Sequence, residues 1–123
     1  MAVTTQRGTL VPVDAAGQPL RPFITWLDQR RATQVPRLSP WWRAALAAAR
    51  VSGTVDHFLH EAELNWIAQH EPALWARTAR VLLVSGWLNH RLTGEWRDSV
   101  ASQVAYLPFD FKRQTWAAGW DWK

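Results

Sequence analysis

The stretch Val13-Asp-Ala-Ala-Gly-Gln-Pro-Leu-Arg-Pro-Phe-Ile-Thr-Trp-Leu-Asp-Gln-Arg30 decides how the rest of the chain is read. Before it, Thr9-Leu-Val-Pro-Val13 is apolar and β-like. Asp14-Ala-Ala-Gly17 then supplies turn residues, and Gln18 to Trp26 returns as a second apolar run. That pattern predicts a β-hairpin with Gly17 at a positive φ. Pro12 and Pro19 cannot donate to a ladder, so both runs are expected at a sheet edge or at strand ends. At Trp26 the chain switches abruptly to the polar Leu27-Asp28-Gln29-Arg30-Arg31. An aromatic face beside a carboxylate and a guanidinium suits a polyol: the C–H face stacks and the charged groups take hydroxyls in charge-assisted hydrogen bonds. A strand-end core residue is the competing reading of Trp26.

Outward from this stretch, Ser39-Pro40 opens a helix, with Ser39 a good N-cap and Pro40 suited to the first helical position. Trp42, Ala45, Leu46 and Ala49 share one face of it, and Gly53 is the expected stop. A second helix is predicted from near His60 to His70, and Pro72 begins a short third one because it cannot sit inside a helix. Arg80-Val-Leu-Leu-Val84 reads as a short buried strand. Ser85 is the expected cap of a helix through Leu92 that stops at Gly94. Ser99 to Tyr106 is expected as a strand, Phe109 to Trp116 as a strand or turn, and the last residues as the start of a helix.

With 123 residues the chain is one domain at most. It has no cysteine, which excludes a disulfide scaffold and thiolate metal sites. The 48% of hydrophobic residues against 20% charged excludes a disordered chain. No apolar run approaches the ~20 residues of a membrane span, and the start resembles no signal peptide, so a cytoplasmic location and no membrane partner are expected. The net charge is +4. Twelve of the fourteen basic residues are arginines spread along the chain without a like-charge block, so a solvated surface is the better reading and no nucleic-acid partner is expected. Ten tryptophans are the compositional oddity, and Trp42, Trp66, Trp75 and Trp87 fit core positions at helical spacing.

The motifs that carry chemistry are mostly absent. There is no GxxxxGK[ST] or GxGxxG, so no nucleotide cradle is readable. His57 and His60 are three residues apart and not the i,i+4 histidine pair of an HExxH zinc site, so with Glu61 they read as polar residues near a helix end. Ser85-Gly86 is no GxSxG elbow.

Four segments, in order and with the right spacing, resemble the FGGY carbohydrate kinases. Val3-Thr-Thr-Gln-Arg-Gly-Thr9 is similar to the strand ending in a Gln-Arg or Gln-Met-His motif. Val13 to Arg30 is similar to the hairpin and Trp-x-Asp-x-Arg motif. Phe58 to His70 resembles an aromatic followed by a signature helix, and Ala79 to Glu95 the strand, helix and Leu-Thr-Gly-Glu turn. The resemblance implies an α/β fold: residues 1–123 as part of a ribonuclease H-like, actin or hexokinase-type N-terminal sugar-binding domain lacking its first strands, with a β-hairpin, several helices and short strands. It implies substrate contacts from Gln6, Arg7, Trp26, Asp28 and Phe58, with no catalytic, cofactor or metal residue in this chain. The intact kinases move the γ-phosphoryl of ATP, with magnesium, to a sugar or polyol hydroxyl. Their Asp-x-Gly-Thr strand, catalytic Asp and ATP domain have no counterpart here, so this chain alone is expected to hold no ATP or magnesium and to be inactive. Its departures include Gly8 where glycerol kinases place a Glu, and Ser85-Gly86 in place of a Lys-Asp pair. The alternative is a noncatalytic carbohydrate-binding or protein-interaction remnant, self-associating through exposed apolar surface.

Overall fold

The computed structural model describes residues 4–25, 27–35, 37–102 and 109–116. Trp26, the 103–106 part of the expected strand and the expected helix beyond 116 lie outside the described residues. The described chain is α/β, with two two-stranded antiparallel sheets and five α-helices. It divides into two compact units, residues 1–27 with 76–123, and residues 28–75.

The first unit is built on β1 (Leu10–Val13) and β2 (Arg80–Leu83). They pair antiparallel, with Leu10 opposite Leu83 and Val13 opposite Arg80. The turn at 14–17 forms as expected. Asp14 Oδ1 accepts the Ala16 and Gln18 N–H groups at 2.9 Å each, and Gly17 adopts φ +80°. The expected hairpin does not follow from it. The return segment makes a single bridge, Val13 to Pro19, and the strand partner of β1 comes from far along the chain. Pro19 and Pro22 have no N–H to donate, so the return run cannot sustain a ladder. Pro12 is tolerated in mid-strand because its backbone points away from β2. Its carbonyl accepts Leu20 N–H at 3.0 Å, whereas the carbonyls of Thr9 and Val13 accept from Val84 and Ala79 beside β2.

All four β1 residues are buried, together with Thr9, Ile24 and Leu83, and they form the core of this unit. α5 (Val84–Thr93) follows β2 without a loop and packs on β1 and β2. The expected cap Ser85 is the second residue of α5, and Leu83 holds the N-cap position. The expected stop holds: Gly94 takes φ +78° and its N–H reaches His90 O at 2.8 Å. Val100–Ser102 is a short 3-10 turn, where a strand was expected. Asp98 and Ser99 explain it locally, because the Ser99 side chain takes Ala101 N–H at 3.2 Å and turns the chain. β3 (Phe109–Asp110) and β4 (Thr115–Trp116) flank a turn in which Asp110 Oδ1 accepts the N–H groups of Lys112 and Arg113.

The second unit is helical. α1 (Pro40–Ala48) starts as expected, with Ser39 Oγ accepting Trp42 N–H at 3.4 Å. It ends before Gly53, at Ala49, followed by Arg50 at φ +57°; Gly53 lies inside α2 (Ser52–Glu61). The predicted 60–70 helix is therefore the end of α2 plus α3 (Glu63–His70), separated at Ala62, whose ψ of 115° breaks the helix. α4 (Pro72–Arg77) starts at the expected proline. Leu64, Ile67 and Ala32 form the buried centre. The 31–35 segment is strapped on by Ala32 N–H to His60 O at 2.8 Å and by Gln69. The Gln69 Oε1 accepts from the N–H groups of Thr33 and Gln34 while its Nε2 donates to Thr33 Oγ1.

Candidate functional site

In the first unit, the loop carrying Gln6 and Arg7 and one face of α5 enclose a cavity of about 350 Å³. α5 lines it with Ser85, Leu88, Asn89 and Leu92, a set at spacings of three, four and seven that helical geometry puts on one face. Leu83 at the end of β2 and Ala101 and Ser102 of the 3-10 turn complete the walls. The wall is thus mixed, with leucines for apolar contact and hydroxyl, amide and guanidinium groups for polar contact. That mixture is what small-molecule sites present.

Behind α5 the polar groups are tied down. Ser85 Oγ donates to Asp98 Oδ2 at 2.8 Å, and Asp98 Oδ1 accepts Ser99 N–H at 2.7 Å. Asn89 Nδ2 donates to Arg97 O at 2.8 Å. On the far end of α5, His90 stacks on Trp96 at 3.6 Å between centroids, and the Arg80 guanidinium covers the Trp96 ring at 4.4 Å. Gly17 lies against this stack: a Cβ there would fall 2.7 Å from His90 Nε2. Trp87 Nε1 donates to Gly17 O at 3.3 Å, and Phe23 meets the Trp87 ring edge-on.

The sequence-predicted residues divide between the units. Gln6 and Arg7 lie together on the cavity. Trp26 lies outside the described residues. Asp28 belongs to the second unit, where it holds Arg30 through both carboxylate oxygens at 2.7–3.0 Å. Arg30 in turn covers Trp66 at 4.7 Å, and Trp66 stacks on His70. Phe58 is exposed on α2, its ring tilted against His57. His57 Nε2 meets Glu61 Oε2 at 3.1 Å, and His60 Nδ1 lies 2.8 Å from Asp56 O. Among the described residues, no set of three or more His, Cys, Asp or Glu side chains is placed to hold a metal ion.

The tryptophans depart from the core reading. Trp42, expected inside, is 50% exposed and Trp41 76% exposed. Trp66, Trp75 and Trp87 are half-buried. α1 packs too little of its length for its apolar face to be covered: no residue of it is buried. Ser85, Asn89 and Ser102 of the cavity were missed as site residues. The 85/88/89/92 spacing was there to be read, but only the path of the chain at Gln6 and Arg7 opposite reveals that this face looks into a cavity.

Residues 1–118 match the FGGY family of carbohydrate kinases, N-terminal domain. A xylulose kinase of Streptomyces coelicolor is 35% identical over 96 residues, covering 77% of this chain and 20% of that protein. A glycerol kinase of Rhodospirillum rubrum is 28% identical over 123 residues, covering 94% and 25%. A xylulose kinase of Streptomyces rubiginosus is 33% identical over 96 residues, covering 77% and 20%. No solved structure matches the chain significantly. The chain belongs to the FGGY family of carbohydrate kinases and corresponds to its N-terminal domain. It spans about a fifth to a quarter of the length of the curated relatives it matches.

Proposed function

We propose that this chain is part of the sugar-binding N-terminal domain of a carbohydrate kinase, with the ribonuclease H-like, actin-type fold, over residues 1–123. In the intact protein, ATP with magnesium would supply the phosphoryl group. There a sugar or polyol hydroxyl would attack the γ-phosphorus as the bond to the β-phosphate oxygen breaks and ADP leaves, with the hydroxyl proton passing to a general base. The observation that carries the reading is the placement of Gln6 and Arg7 on a 350 Å³ cavity with polar and apolar walls. Arg7 offers five N–H donors and no acceptor, which suits the oxygens of a polyol, and Gln6 offers both. Trp26, Asp28 and Phe58 are proposed as further substrate contacts. Asp28 accepts from the Arg30 backbone N–H and guanidinium through its two carboxylate oxygens, which fixes where the carboxylate sits. Phosphoryl transfer is mostly positioning and charge neutralisation, and no Gly-rich phosphate-binding motif is readable in these 123 residues, so the reading includes no ATP turnover by this chain alone. A cytoplasmic site of action belongs to the same proposal; among the described residues, no helix is long and apolar enough to cross a membrane.

Purified chain mixed with ATP, magnesium and D-xylulose or glycerol is expected to release no ADP above background, while either compound shifts the amide signals of Gln6 and Arg7 in a ¹⁵N-labelled sample. Catalytic turnover would refute the inactive part, and equal affinity in Arg7→Ala would refute the role of Arg7.

A second reading, a noncatalytic remnant that self-associates, is favoured by the exposure of Trp41, Trp42, Leu27 and Leu92. Its test is the concentration dependence of the mass in sedimentation.

A further inference from the structure

In the second unit, α1 lies at the surface with almost nothing polar on it. Of its nine residues, Pro40-Trp-Trp-Arg-Ala-Ala-Leu-Ala-Ala48, Arg43 is the sole polar or charged one, and none is buried. A surface helix that packs one stripe on its own unit ordinarily carries polar residues on the opposite face. Here Ala45 and Leu46 are half-buried. The rings one turn before them, Trp41 and Trp42, stand in solvent, 76% and 50% exposed. The charge around the helix has a single sign. From Gln29 to Val55 there are five arginines and no acidic residue. Arg30 and Arg31 are matched by Asp28 and Glu61. Arg37 before the helix, Arg43 within it and Arg50 after it are exposed. Among the described residues, none of these three meets a carboxylate.

What covers such a face must answer both the apolar rings and the unmatched positive charge. A second copy answers only the first, because a two-fold pairing of α1 on α1 sets like charge against like. A nucleic acid answers the charge and leaves the alanine and leucine surface in water. An anionic lipid interface answers both. Tryptophan rings settle at the level of the headgroups, arginine stems lie along apolar surface while their guanidinium groups reach phosphate, and the alanines meet the acyl boundary. We propose that α1, with Arg37 and Arg50 at its two ends, docks in the plane of an anionic lipid surface, with Trp41 and Trp42 as its anchors. The absence of a membrane-spanning run in the sequence bears only on insertion, and a helix lying in the interface needs none. Nine residues with two rings and three charges give a reversible, salt-sensitive attachment. This face is independent of the Arg7 cavity, which lies in the other unit.

The test is flotation of the purified chain with vesicles of phosphatidylcholine alone and of phosphatidylglycerol and phosphatidylcholine in equal parts. The mixed vesicles are expected to carry the chain at low salt and to release it at high salt, which screens exposed charges. Arg43→Gln with Arg50→Gln is expected to weaken binding about fivefold for each charge removed. Arg43→Lys with Arg50→Lys keeps the charge and is expected to keep the binding. Trp41→Glu with Trp42→Glu is expected to abolish flotation with the circular dichroism unchanged, because neither ring is buried. No flotation, or equal flotation with the neutral vesicles, overturns the proposal. So does binding that survives the exchange of both tryptophans. Retention by duplex DNA without flotation would assign the face to a nucleic acid. A concentration-dependent mass that the tryptophan exchange abolishes, again without flotation, would assign it to a second copy. Either result overturns the lipid surface as the partner.

Discussion

Gly17 and Gly94 share a left-handed backbone, φ +80° and +78°, but differ in what surrounds them. At Gly94 nothing lies within 4 Å of an added Cβ, whereas at Gly17 His90 and Trp96 lie within 3 Å. Gly94→Ala is therefore expected to cost only the backbone penalty, about 1–2 kcal/mol. Gly17→Ala should cost clearly more, because the Arg80–Trp96–His90 stack must also shift. Paired urea denaturation curves check the order, and equal losses would show that the stack yields without cost. Gly53, by contrast, is inside α2 with open space around it, so Gly53→Ala is expected to stabilise by about 0.5–1 kcal/mol. Gly17 and Gly94 were legible in the sequence, because a turn and a helix end are local demands on φ; Gly8, at φ +82°, carried no such signal. Gly53 was misread for the converse reason: the chain breaks α1 at Arg50 instead, and no local rule names a non-glycine residue for that task.

At the scale of elements, α3 is held by Ile67, which is buried at the centre of its unit, so Ile67→Ala is expected to cost about 2–5 kcal/mol in the same denaturation assay. The strap over residues 31–35 is a separate device. Gln69→Ala removes the acceptor of two backbone N–H groups, and amide exchange at Thr33 and Gln34 should accelerate well beyond that at Ala32, whose N–H keeps the His60 carbonyl. Uniform acceleration across the unit would mean that Gln69 supports the whole unit. The exposed pair Arg31–Glu61 at 2.9 Å adds less than about 1 kcal/mol and does not substitute for this clamp. Helix starts were readable here, at Ser39-Pro40 and at Pro72, because capping and the missing proline N–H act within one turn. The break at Ala62 was not, since alanine carries no stop signal and the division between α2 and α3 depends on packing.

At the scale of the whole molecule, the exposed ring surface of α1 carries a consequence for solution behaviour. Trp41→Glu with Trp42→Glu is expected to lower the average mass at high protein concentration in sedimentation if these rings mediate association, with the circular dichroism unchanged, because neither ring is buried within its unit. Concentration-independent mass in the unaltered chain would dismiss the self-association reading without touching the cavity.

Alone, the sequence determined the family, through ordered motifs from Gln6 and Arg7 to the Leu-Thr-Gly-Glu turn, and it determined the local turns and caps, whose physics is confined to a few neighbouring residues. The tertiary structure decided the partner of β1. Val13 could pair with the run that follows it or with a strand that begins at Arg80, and only the proline-poor backbone of the latter offers continuous N–H groups. It also decided the cavity. Ser85 Oγ and Asn89 Nδ2 gain their hydrogen-bond acceptors only when Asp98 and Arg97 come beside α5, and this face lines a cavity only because residues about eighty positions earlier, at Gln6 and Arg7, line it too.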